Sequence, residues 1–542
     1  TYISVFSDEN GQFVFPDASK YLVNPIRLTV KKLAYRSKNI LLSSEMLGGD
    51  EKISVALEQS SNISADVPPS AWLAKMNNDV DKSVLVLNCS GCHQFPSDKV
   101  RNYANKITAH IGSPENTEKA LSKEWAELVK KESWRATLKY MRTKVFSIFP
   151  EGSSVELSKL PWEMVQSDAL SLWNGPDNDL IIKTMVDKFP RSTAEMSASG
   201  YSYDAEFGTN SNTVIREYSI QGGGLVREAT WVKGSQFIWG ADVRKNRILR
   251  MDPITGQQKW FDVPFDGATG PHTIIGGDDG AVWVSMIEND QFGRFDPETE
   301  TWKLWTLTPD NLKGQGVVGG QAAVHDIAVD SSGLIRPDAN GDVWVTLIGL
   351  NKMAALTTAT GAVKVFDAPA VPGHTAVSTG LYGAVMNAGG HCVWFTQLNS
   401  NVGCMDVNNG KVSDYLSFPK GAGPRRMTLD ARGDVWIPLY GAGQLARYTP
   451  GSNGKYKIYD LPDRAAAPYA AHWDKKRDVV WLTTSNADVI YRFDIKSEKF
   501  YVYPLPRKGG YLRQLSLNHQ TGELVGSYGN IPAGSGPAMI VV

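Results

Sequence analysis

The chain has 542 residues, 42% of them hydrophobic, and its 56 Lys and Arg against 57 Asp and Glu leave a formal net charge of −1. This length suffices for about three domains, and the near-neutral charge argues against a general attraction to nucleic acid or anionic membranes. No run of about 18 apolar residues occurs, so the sequence predicts no transmembrane helix.

The N-terminal residues 1–45 alternate apolar and polar positions between turn signals, which predicts a small antiparallel β-unit. The run SDENGQFVFPD, followed by a VKKLAY strand, resembles the carboxypeptidase regulatory-like β-sandwich. The resemblance implies a partial packing or docking module without chemistry. Residues 46–68 are polar, contain Ser-Ser and Pro-Pro pairs, and are predicted to be a linker.

Residues 89–93 read Cys-Ser-Gly-Cys-His and have the CxxCH pattern. The thiols of Cys89 and Cys92 can each form a thioether to a haem vinyl group, and the imidazole of His93 can bind the iron. A zinc site would need two more ligands nearby, whereas the next cysteine is Cys392. We therefore expect one covalent haem c, electron transfer, and a periplasmic or other extracytoplasmic location reached through a signal peptide that has since been removed.

Residues 69–205 are predicted to form the haem domain, with a helix leading into CxxCH and a second helical region over about residues 116–147. This order resembles the class I cytochromes c. The resemblance implies a methionine sulfur as second axial ligand, and we assign it to Met141, which lies on the apolar stripe of the second helix. Ordinary core packing is the other explanation for Met141. The rival ligands are Met164, Met185 and His110.

The remaining chain is a repeat array marked by tryptophan in the setting D-V-W or a near variant. These residues are Trp239, Trp283, Trp344, Trp394, Trp436 and Trp481. Four short strands per unit of about 45 residues is the period of a β-propeller blade. We predict a seven-bladed propeller over residues 213–542, closed by a split blade in which residues 213–220 complete the C-terminal strands and remove two sheet edges. The fold class is therefore multidomain and mainly β, with a small α-helical cytochrome domain.

The runs G-P-H-T-I, D-G-A-V-W-V and F-G-R-F-D-P in these units resemble the virginiamycin B lyase-type propellers, or streptogramin lyases. The resemblance implies a histidine, glutamates and a divalent ion that break a ring ester by elimination. His272 and Glu288 match positions of that kind, but Gly270 stands where the family pattern has glutamate. An elimination also moves no electrons and has no use for a haem.

The residues that begin the innermost strands of a propeller point at the central channel. Aligning the units on their tryptophans predicts a polar ring composed of Glu228, His272, His325, His374, Arg425, Tyr469 and Arg513. The three histidines come from consecutive blades and suit a metal ion such as copper. Asp326 is expected to orient His325, and Glu288 to add an oxygen ligand. A ring of solvated polar side chains is the alternative.

Cys392 and Cys404 flank two short predicted strands and a turn. A cross-strand disulfide is expected in an oxidising compartment, and two buried thiols are the alternative.

Together these features favour a periplasmic oxidoreductase that binds a small polar substrate at the channel mouth. Arg227, Arg425 and Arg513 would attract a polar or anionic group, and electrons would leave through the haem to a cytochrome or copper protein. One alternative is an electron-transfer or docking subunit whose active site lies on a partner. The other is a C–O lyase similar to the streptogramin lyases.

Overall fold

The computed structural model describes residues 2–15, 26–43, 46, 52–60, 67–74, 76, 79–91, 94–96, 206–209, 212–267, 269–308, 322–372, 379–398, 401–529 and 539–541. Strands dominate these residues. The helices with bounds inside them are α1 (Ser70–Leu73) and α2 (Asp79–Cys89). No helix in these ranges combines the length and apolar character needed to cross a membrane.

The first strands do not form a domain of their own. They are β1 (Tyr2–Val5), β2 (Ile26–Val30), β3 (Lys38–Leu42), β4 (Glu206–Phe207) and β5 (Val214–Ser219). β2 and β3 form a hairpin, whereas β1 pairs with β5 in the register Ile3↔Arg216. The carboxypeptidase regulatory-like sandwich is thus not seen among the described residues, because β1 satisfies its backbone groups on the open edge of a propeller strand.

Six sheets each consist of four consecutive antiparallel strands, as propeller blades do. The first blade is β6 (Val226–Trp231), β7 (Ile238–Asp242), β8 (Arg247–Met251) and β9 (Gln258–Asp262), and the second is β10 (Pro271–Gly276), β11 (Val282–Met286), β12 (Gln291–Asp296) and β13 (Thr301–Thr306). The third is β14 (Val324–Ile327), β15 (Asp342–Leu347), β16 (Lys352–Thr357) and β17 (Ala362–Asp367), and the fourth is β18 (Leu381–Met386), β19 (Cys392–Gln397), β20 (Asn401–Asp406) and β21 (Val412–Ser417). The fifth is β22 (Thr428–Leu429), β23 (Val435–Leu439), β24 (Gln444–Tyr448) and β25 (Tyr456–Asp460), and the sixth is β26 (Pro468–Asp474), β27 (Val479–Thr484), β28 (Val489–Asp494) and β29 (Lys499–Pro504), with β4 added in parallel.

A further sheet joins the two ends of the chain. Its C-terminal strands are β30 (Ser516–Leu517), β31 (Leu524–Ser527) and β32 (Met539–Val541). β32 pairs with β5 in the register Val541↔Glu217, and β30 contacts both β26 and β6. Six complete blades are therefore present where the sequence predicts seven. We call the further sheet the mixed sheet because it combines strands from both ends of the chain, and it lies between the sixth blade and the first.

The repeated tryptophans stand in the second strand of each blade and pack between neighbouring sheets. Trp344 and Trp436 are fully buried, and their indole N–H groups donate to Asp338 and Asp430 at 2.7 and 3.1 Å. Each aspartate lies in or near the turn that precedes the tryptophan strand. The repeat in the sequence thus corresponds to a buried tryptophan and an aspartate-containing turn that recur from blade to blade.

Cys392 and Cys404 form a disulfide with a Cα–Cα distance of 5.8 Å. Cys392 pairs with Asp406 and Cys404 with Trp394 in the β19–β20 register. The two cysteines are therefore diagonal neighbours across the hairpin and not directly opposite each other.

The described part of the predicted haem domain packs against the propeller. We call residues 67–74, 76, 79–91 and 94–96 the cap. Apolar side chains of the cap share one buried cluster with propeller residues, and this cluster includes Trp72, Leu73, Leu85, Val86, Phe95, Tyr382, Leu398, Tyr440 and Tyr469. A separate class I cytochrome domain is not seen in these residues. Met141, its rivals Met164, Met185 and His110, and most of residues 69–205 lie outside the described residues.

Glycines let helix α2 approach the propeller closely. A Cβ on Gly423, which has φ +61°, would lie 2.6 Å from the Leu87 side chain, and a Cβ on Gly441 would lie 2.0 Å from the Gly421 carbonyl oxygen and 3.1 Å from the Ser83 carbonyl oxygen. Side chains at these positions would push the helix away from the loops that surround the channel.

Candidate functional site

The inner strands carry two successive channel-facing residues because their register is irregular near the start. In the second blade Pro271↔Met286 is followed by Ile274↔Val284, and in the fourth Leu381↔Gln397 is followed by Ala384↔Phe395. Such a bulge re-aims side chains relative to a regular strand. Each sheet thus contributes one residue to an upper layer, nearer the cap, and the next residue to a lower layer.

The upper layer combines cations, imidazoles and phenols. Its members are Arg227, His272, His325, Tyr382, Arg425, Tyr469 and Arg513. All are buried except Arg227, which is partly buried. Five of the predicted ring residues therefore occupy equivalent positions.

Two of the predicted ring positions are corrected. Arg227 holds the first-blade position that the sequence alignment assigns to Glu228, because the turn between the first two strands is one residue longer in this blade: Thr230 pairs with Trp239, whereas Ile275 pairs with Trp283 in the second blade. Tyr382 holds the fourth-blade position that was assigned to His374. The loop before β18 makes this blade irregular in length, and His374 itself lies outside the described residues.

The lower layer is organised by Arg426. Its guanidinium lies 2.8 Å from Glu228 Oε1 and 3.2 Å from Asp326 Oδ1, and it donates to Thr273 Oγ1 at 2.6 Å and Gln514 Oε1 at 2.8 Å. One buried side chain of the fifth blade thus ties together the first three blades and the mixed sheet. Burial alone would lower the pKa of Arg426, but Asp326 and Glu228 raise it, so the guanidinium stays charged.

Asp326 does not have the role predicted for it, whereas the role of Glu288 as an oxygen ligand stays a prediction. Asp326 pairs with Arg426 and accepts a hydrogen bond from the Ala384 backbone instead of orienting His325, and burial raises its pKa to about 6. Glu288 lies beside Gly270, and burial raises its pKa to about 8. Without a bound cation, the Glu288 side chain is therefore mostly protonated at neutral pH.

The two described histidines of the upper layer form a neutral pair. The rings of His272 and His325 lie 4.5 Å apart, and the His325 ring lies 4.1 Å from that of Tyr382. Burial, together with Arg227 and Arg426, holds the pKa of both imidazoles well below its usual range. His272 Nε2 and His325 Nδ1 are buried and have no hydrogen-bond partner. Among the described residues these two nitrogens are therefore available for a hydrogen bond to a ligand.

The predicted copper-type site is not found in the described part of the chain. No group of three or more His, Cys, Asp or Glu side chains there is arranged to hold a metal ion. His374, the third predicted ligand, lies outside the described residues, so the three-histidine metal site stays a prediction.

The cap is attached directly above the upper layer. The phenols of Tyr440 and Tyr511 both donate to the Ser90 carbonyl oxygen at 2.5 Å. The Asn486 side chain accepts from Phe95 N and donates to Phe95 O, each at 2.8 Å. Ser90 is the second residue of CxxCH, so hydrogen bonds hold this residue of the motif over the channel.

The described part of the CxxCH motif suits haem attachment. Helix α2 ends at Cys89, whose side chain is partly buried against the apolar cluster shared with the propeller. The adjacent Ser90 is buried, and its hydroxyl has no hydrogen-bond partner. Cys92 and His93 lie outside the described residues. A cysteine at a helix end against an apolar surface is well placed to bond a haem vinyl group.

A row of aromatic rings connects the cap with the histidines. The ring centroids of Tyr440 and Tyr469 lie 6.0 Å apart, and the hydroxyl groups of Tyr469 and Tyr382 form a hydrogen bond. The ring of Tyr382 in turn contacts the ring of His325. Sequence reasoning finds Tyr469 but misses Tyr382, Tyr440 and Arg426. The adjacent arginines at 425 and 426, which come just before β22, were the one usable signal for Arg426.

The opposite end of the channel is crossed by the inserted loop of the third blade. The Ser332 carbonyl oxygen lies 2.7 Å from His519 Nε2, on the mixed sheet. A Cβ on Gly333 would lie 2.5 Å from His472 Cε1, on the sixth blade. The loop therefore reaches across the channel from the third blade to the far side.

Comparison with known proteins supports the fold. The model of the virginiamycin B lyase family matches residues 302–520. A streptogramin B lyase structure is 18% identical, with a TM-score of 0.48, over 60% of this chain and 97% of its own. Virginiamycin B lyase from Staphylococcus aureus is 17% identical, with a TM-score of 0.49, over 60% and 97%.

A third structure, the extracellular domain of a hybrid two-component system from B. thetaiotaomicron, is 12% identical, with a TM-score of 0.45, over 61% of this chain and 43% of its own. No curated protein matches the chain. The family match includes His325 and Arg426 but not His272 or Glu288. The C-terminal part of the chain is a β-propeller similar to the virginiamycin B lyase family.

Proposed function

We propose that the protein is a periplasmic haem c protein with oxidoreductase activity, whose small polar substrate binds between the cap and the upper layer. The observation that carries this proposal is the attachment of Ser90 to Tyr440 and Tyr511. These hydrogen bonds hold Ser90 of the CxxCH motif close to the buried polar side chains of the upper layer. A docking subunit without its own site would not need buried imidazoles with unpartnered nitrogens.

In this proposal Cys89 and Cys92 hold the haem covalently, His93 is the first axial ligand and Met141 the second. The bound haem supplies one-electron transfer, and a cytochrome or copper protein takes the electrons onward. His272 and His325 are neutral, and each has a buried nitrogen without a described partner that can accept a hydrogen bond from the substrate group that is oxidised. The cap excludes water on its side of the channel, which strengthens polar contacts to the substrate.

The haem is tested by producing the full chain in a host competent for cytochrome c maturation and measuring the pyridine haemochrome spectrum. We expect one haem per chain, and loss of covalent haem in Cys89→Ala and Cys92→Ala. Cys404→Ser removes a cysteine outside the motif and should leave the haem content unchanged. A blank spectrum for the unmodified protein would refute the proposal.

The link to the propeller is tested by mixing oxidised protein with a panel of small polar substrates and following haem reduction. A substrate that reduces the haem should do so at least tenfold more slowly in His272→Gln, with unchanged haem content, if the imidazole accepts the proton. Equal rates in both proteins would place the chemistry elsewhere and favour the docking alternative.

A lyase-like activity is the second candidate, and the family match over residues 302–520 favours it. A neutral imidazole such as that of His325 could remove a proton, and the protonated Glu288 could donate one to the leaving oxygen. Chromatography of quinupristin after incubation with the haem-free protein tests this activity. Ring opening without electron flow would support it, and intact antibiotic would exclude this substrate.

We also infer that the mixed sheet serves as a closing blade. It lies between the sixth blade and the first, and it draws strands from both chain ends. Deleting residues 1–6 should therefore leave the ring intact, whereas deleting residues 539–542 should lower the thermal midpoint of the whole propeller.

A further inference from the structure

We propose that the region between the cap and the upper layer binds a small oxyanion, and that Arg227 is its main charged contact. This inference rests on the proposed function only in that both concern the same site, and it adds the chemical class of the ligand that binds there. A carboxylate, a sulfate and a phosphate share the required chemistry, which is two or more acceptor oxygens around one negative charge.

The charges of the two layers do not balance. The lower layer has two carboxylates, Glu228 and Asp326, and both are paired with Arg426. The upper layer has three arginines and no carboxylate. Among the described residues of the two layers, four arginines therefore stand with two carboxylates, and Arg426 takes both of those. An uncompensated buried charge is costly, and a bound anion would offset that cost.

Arg227 is the arginine whose charge is least compensated. It makes no ion pair or hydrogen bond with a described residue, and its Nε is buried without a partner. Burial and the nearby Arg513 lower its pKa. By contrast, Arg425 stacks on the rings of Tyr382 and Tyr440 at 5.0 and 4.6 Å and donates to backbone carbonyls.

The neighbouring histidines complete an oxyanion site. His272 Nε2 and His325 Nδ1 are buried and unpartnered. A neutral imidazole can donate one hydrogen bond to an oxyanion and accept one from a protonated oxygen of the same ligand. The same groups disfavour a cation, because the surrounding arginines already hold the pKa of both rings low. The arrangement thus selects the sign of the ligand charge.

The test measures binding of potassium succinate, sulfate and phosphate to the full-chain protein by isothermal titration calorimetry, with neutral succinamide as the uncharged probe. We expect one site per chain for at least one of the anions and no binding of succinamide. The anion that binds most tightly identifies the carboxylate or the inorganic class. Absence of binding by all three anions would overturn the inference.

Arg227→Gln should weaken that binding roughly 10- to 100-fold, as expected for the loss of a charge-assisted hydrogen bond. The same variant should also have a higher thermal midpoint in anion-free buffer, because it removes a partly buried charge that has no ion-pair partner among the described residues. Arg227→Lys keeps the charge and should retain weaker binding. Arg36→Gln changes the charge equally at an exposed site and should bind like the unmodified protein.

The direction of the change in anion affinity and in thermal midpoint distinguishes a ligand-binding role of Arg227 from a structural one. If Arg227→Gln lowered the thermal midpoint and left anion affinity unchanged, Arg227 would be a structural residue and the inference would fail. The measurement does not require haem, so it is repeated on Cys89→Ala. Binding by that variant combined with a blank haemochrome for the unmodified protein would refute only the redox proposal, whereas intact haem without anion binding would refute only this inference.

Discussion

The phenol of Tyr440 donates a 2.5 Å hydrogen bond to the carbonyl oxygen of Ser90, and so joins the cap to a loop of the fifth blade. Both groups are buried. Because Ser90 stands between the two cysteines of CxxCH, this bond sets the position of the motif relative to the channel. The relationship makes the cap and propeller one functional unit, and it can be tested apart from any cofactor.

Replacing Tyr440 and Tyr511 together by phenylalanine should loosen the cap without unfolding the propeller. The Ser90 carbonyl loses both phenol donors, which costs about 1–3 kcal/mol for a buried acceptor. Hydrogen exchange of residues 79–91 should become faster in the double variant, while exchange of β23 and β27 stays the same. Tyr459→Phe serves as the control, because it removes a phenol of the outer strand β25 that bonds Glu498 in the turn before β29. Unchanged exchange in the cap would show that these bonds do not hold it.

The close contact of the cap at Gly423 predicts a rescue experiment. Gly423→Ala should increase proteolysis of the cap, because its Cβ would lie 2.6 Å from the Leu87 side chain. Adding Leu87→Ala should relieve the clash and restore part of the protection. Gly433→Ala also places alanine at a positive φ but with nothing within 4 Å, so it isolates the backbone strain. Equal proteolysis in both single variants would contradict a steric role for Gly423.

Stability should fall with acid because His272 and His325 are buried and neutral. Their pKa is well below the usual range in the folded state, mainly through burial. Below about pH 6.5 the unfolded chain takes up protons that the folded protein does not, so the free energy of unfolding falls by up to about 1.4 kcal/mol per pH unit for each ring.

Urea unfolding at pH 7.5, 6 and 5 measures this effect. The double variant with glutamine at both positions should show a shallower fall than the unmodified protein. His472, whose pKa burial lowers to about 4, is present in both proteins and cancels in the difference. Parallel profiles would mean that the two rings become protonated without cost in the folded state.

Arg426→Met should be strongly destabilising because it leaves the buried carboxylates of Glu228 and Asp326 without their ion-pair partner. Breaking one partner of a buried ion pair typically costs about 3–5 kcal/mol. Combining it with Glu228→Gln and Asp326→Asn should recover much of that loss, since no buried charge is then left unpaired. Urea unfolding compares the single and triple variants. If the triple variant were no more stable than Arg426→Met, packing rather than charge would explain the effect.

Sequence reasoning reached the architecture because its signals are local. The tryptophan repeat reports a strand and turn that recur once per blade, and Trp344 and Trp436 show the packing that the repeat serves. It also found five of the upper-layer residues from one alignment. It placed Glu228 one residue off, because the turn before Trp239 is one residue longer than the turn before Trp283, and only the strand pairing shows where the extra residue lies.

By itself, the amino-acid sequence determined the periodic propeller strands and the CxxCH motif, since both depend on residues within a few positions of each other. Only the tertiary structure decided that Ser90 lies over the channel, that Arg426 takes both lower-layer carboxylates, and that the upper layer is left with excess positive charge. Those contacts join residues tens to hundreds of positions apart, and their energies depend on burial, which no short stretch of sequence records.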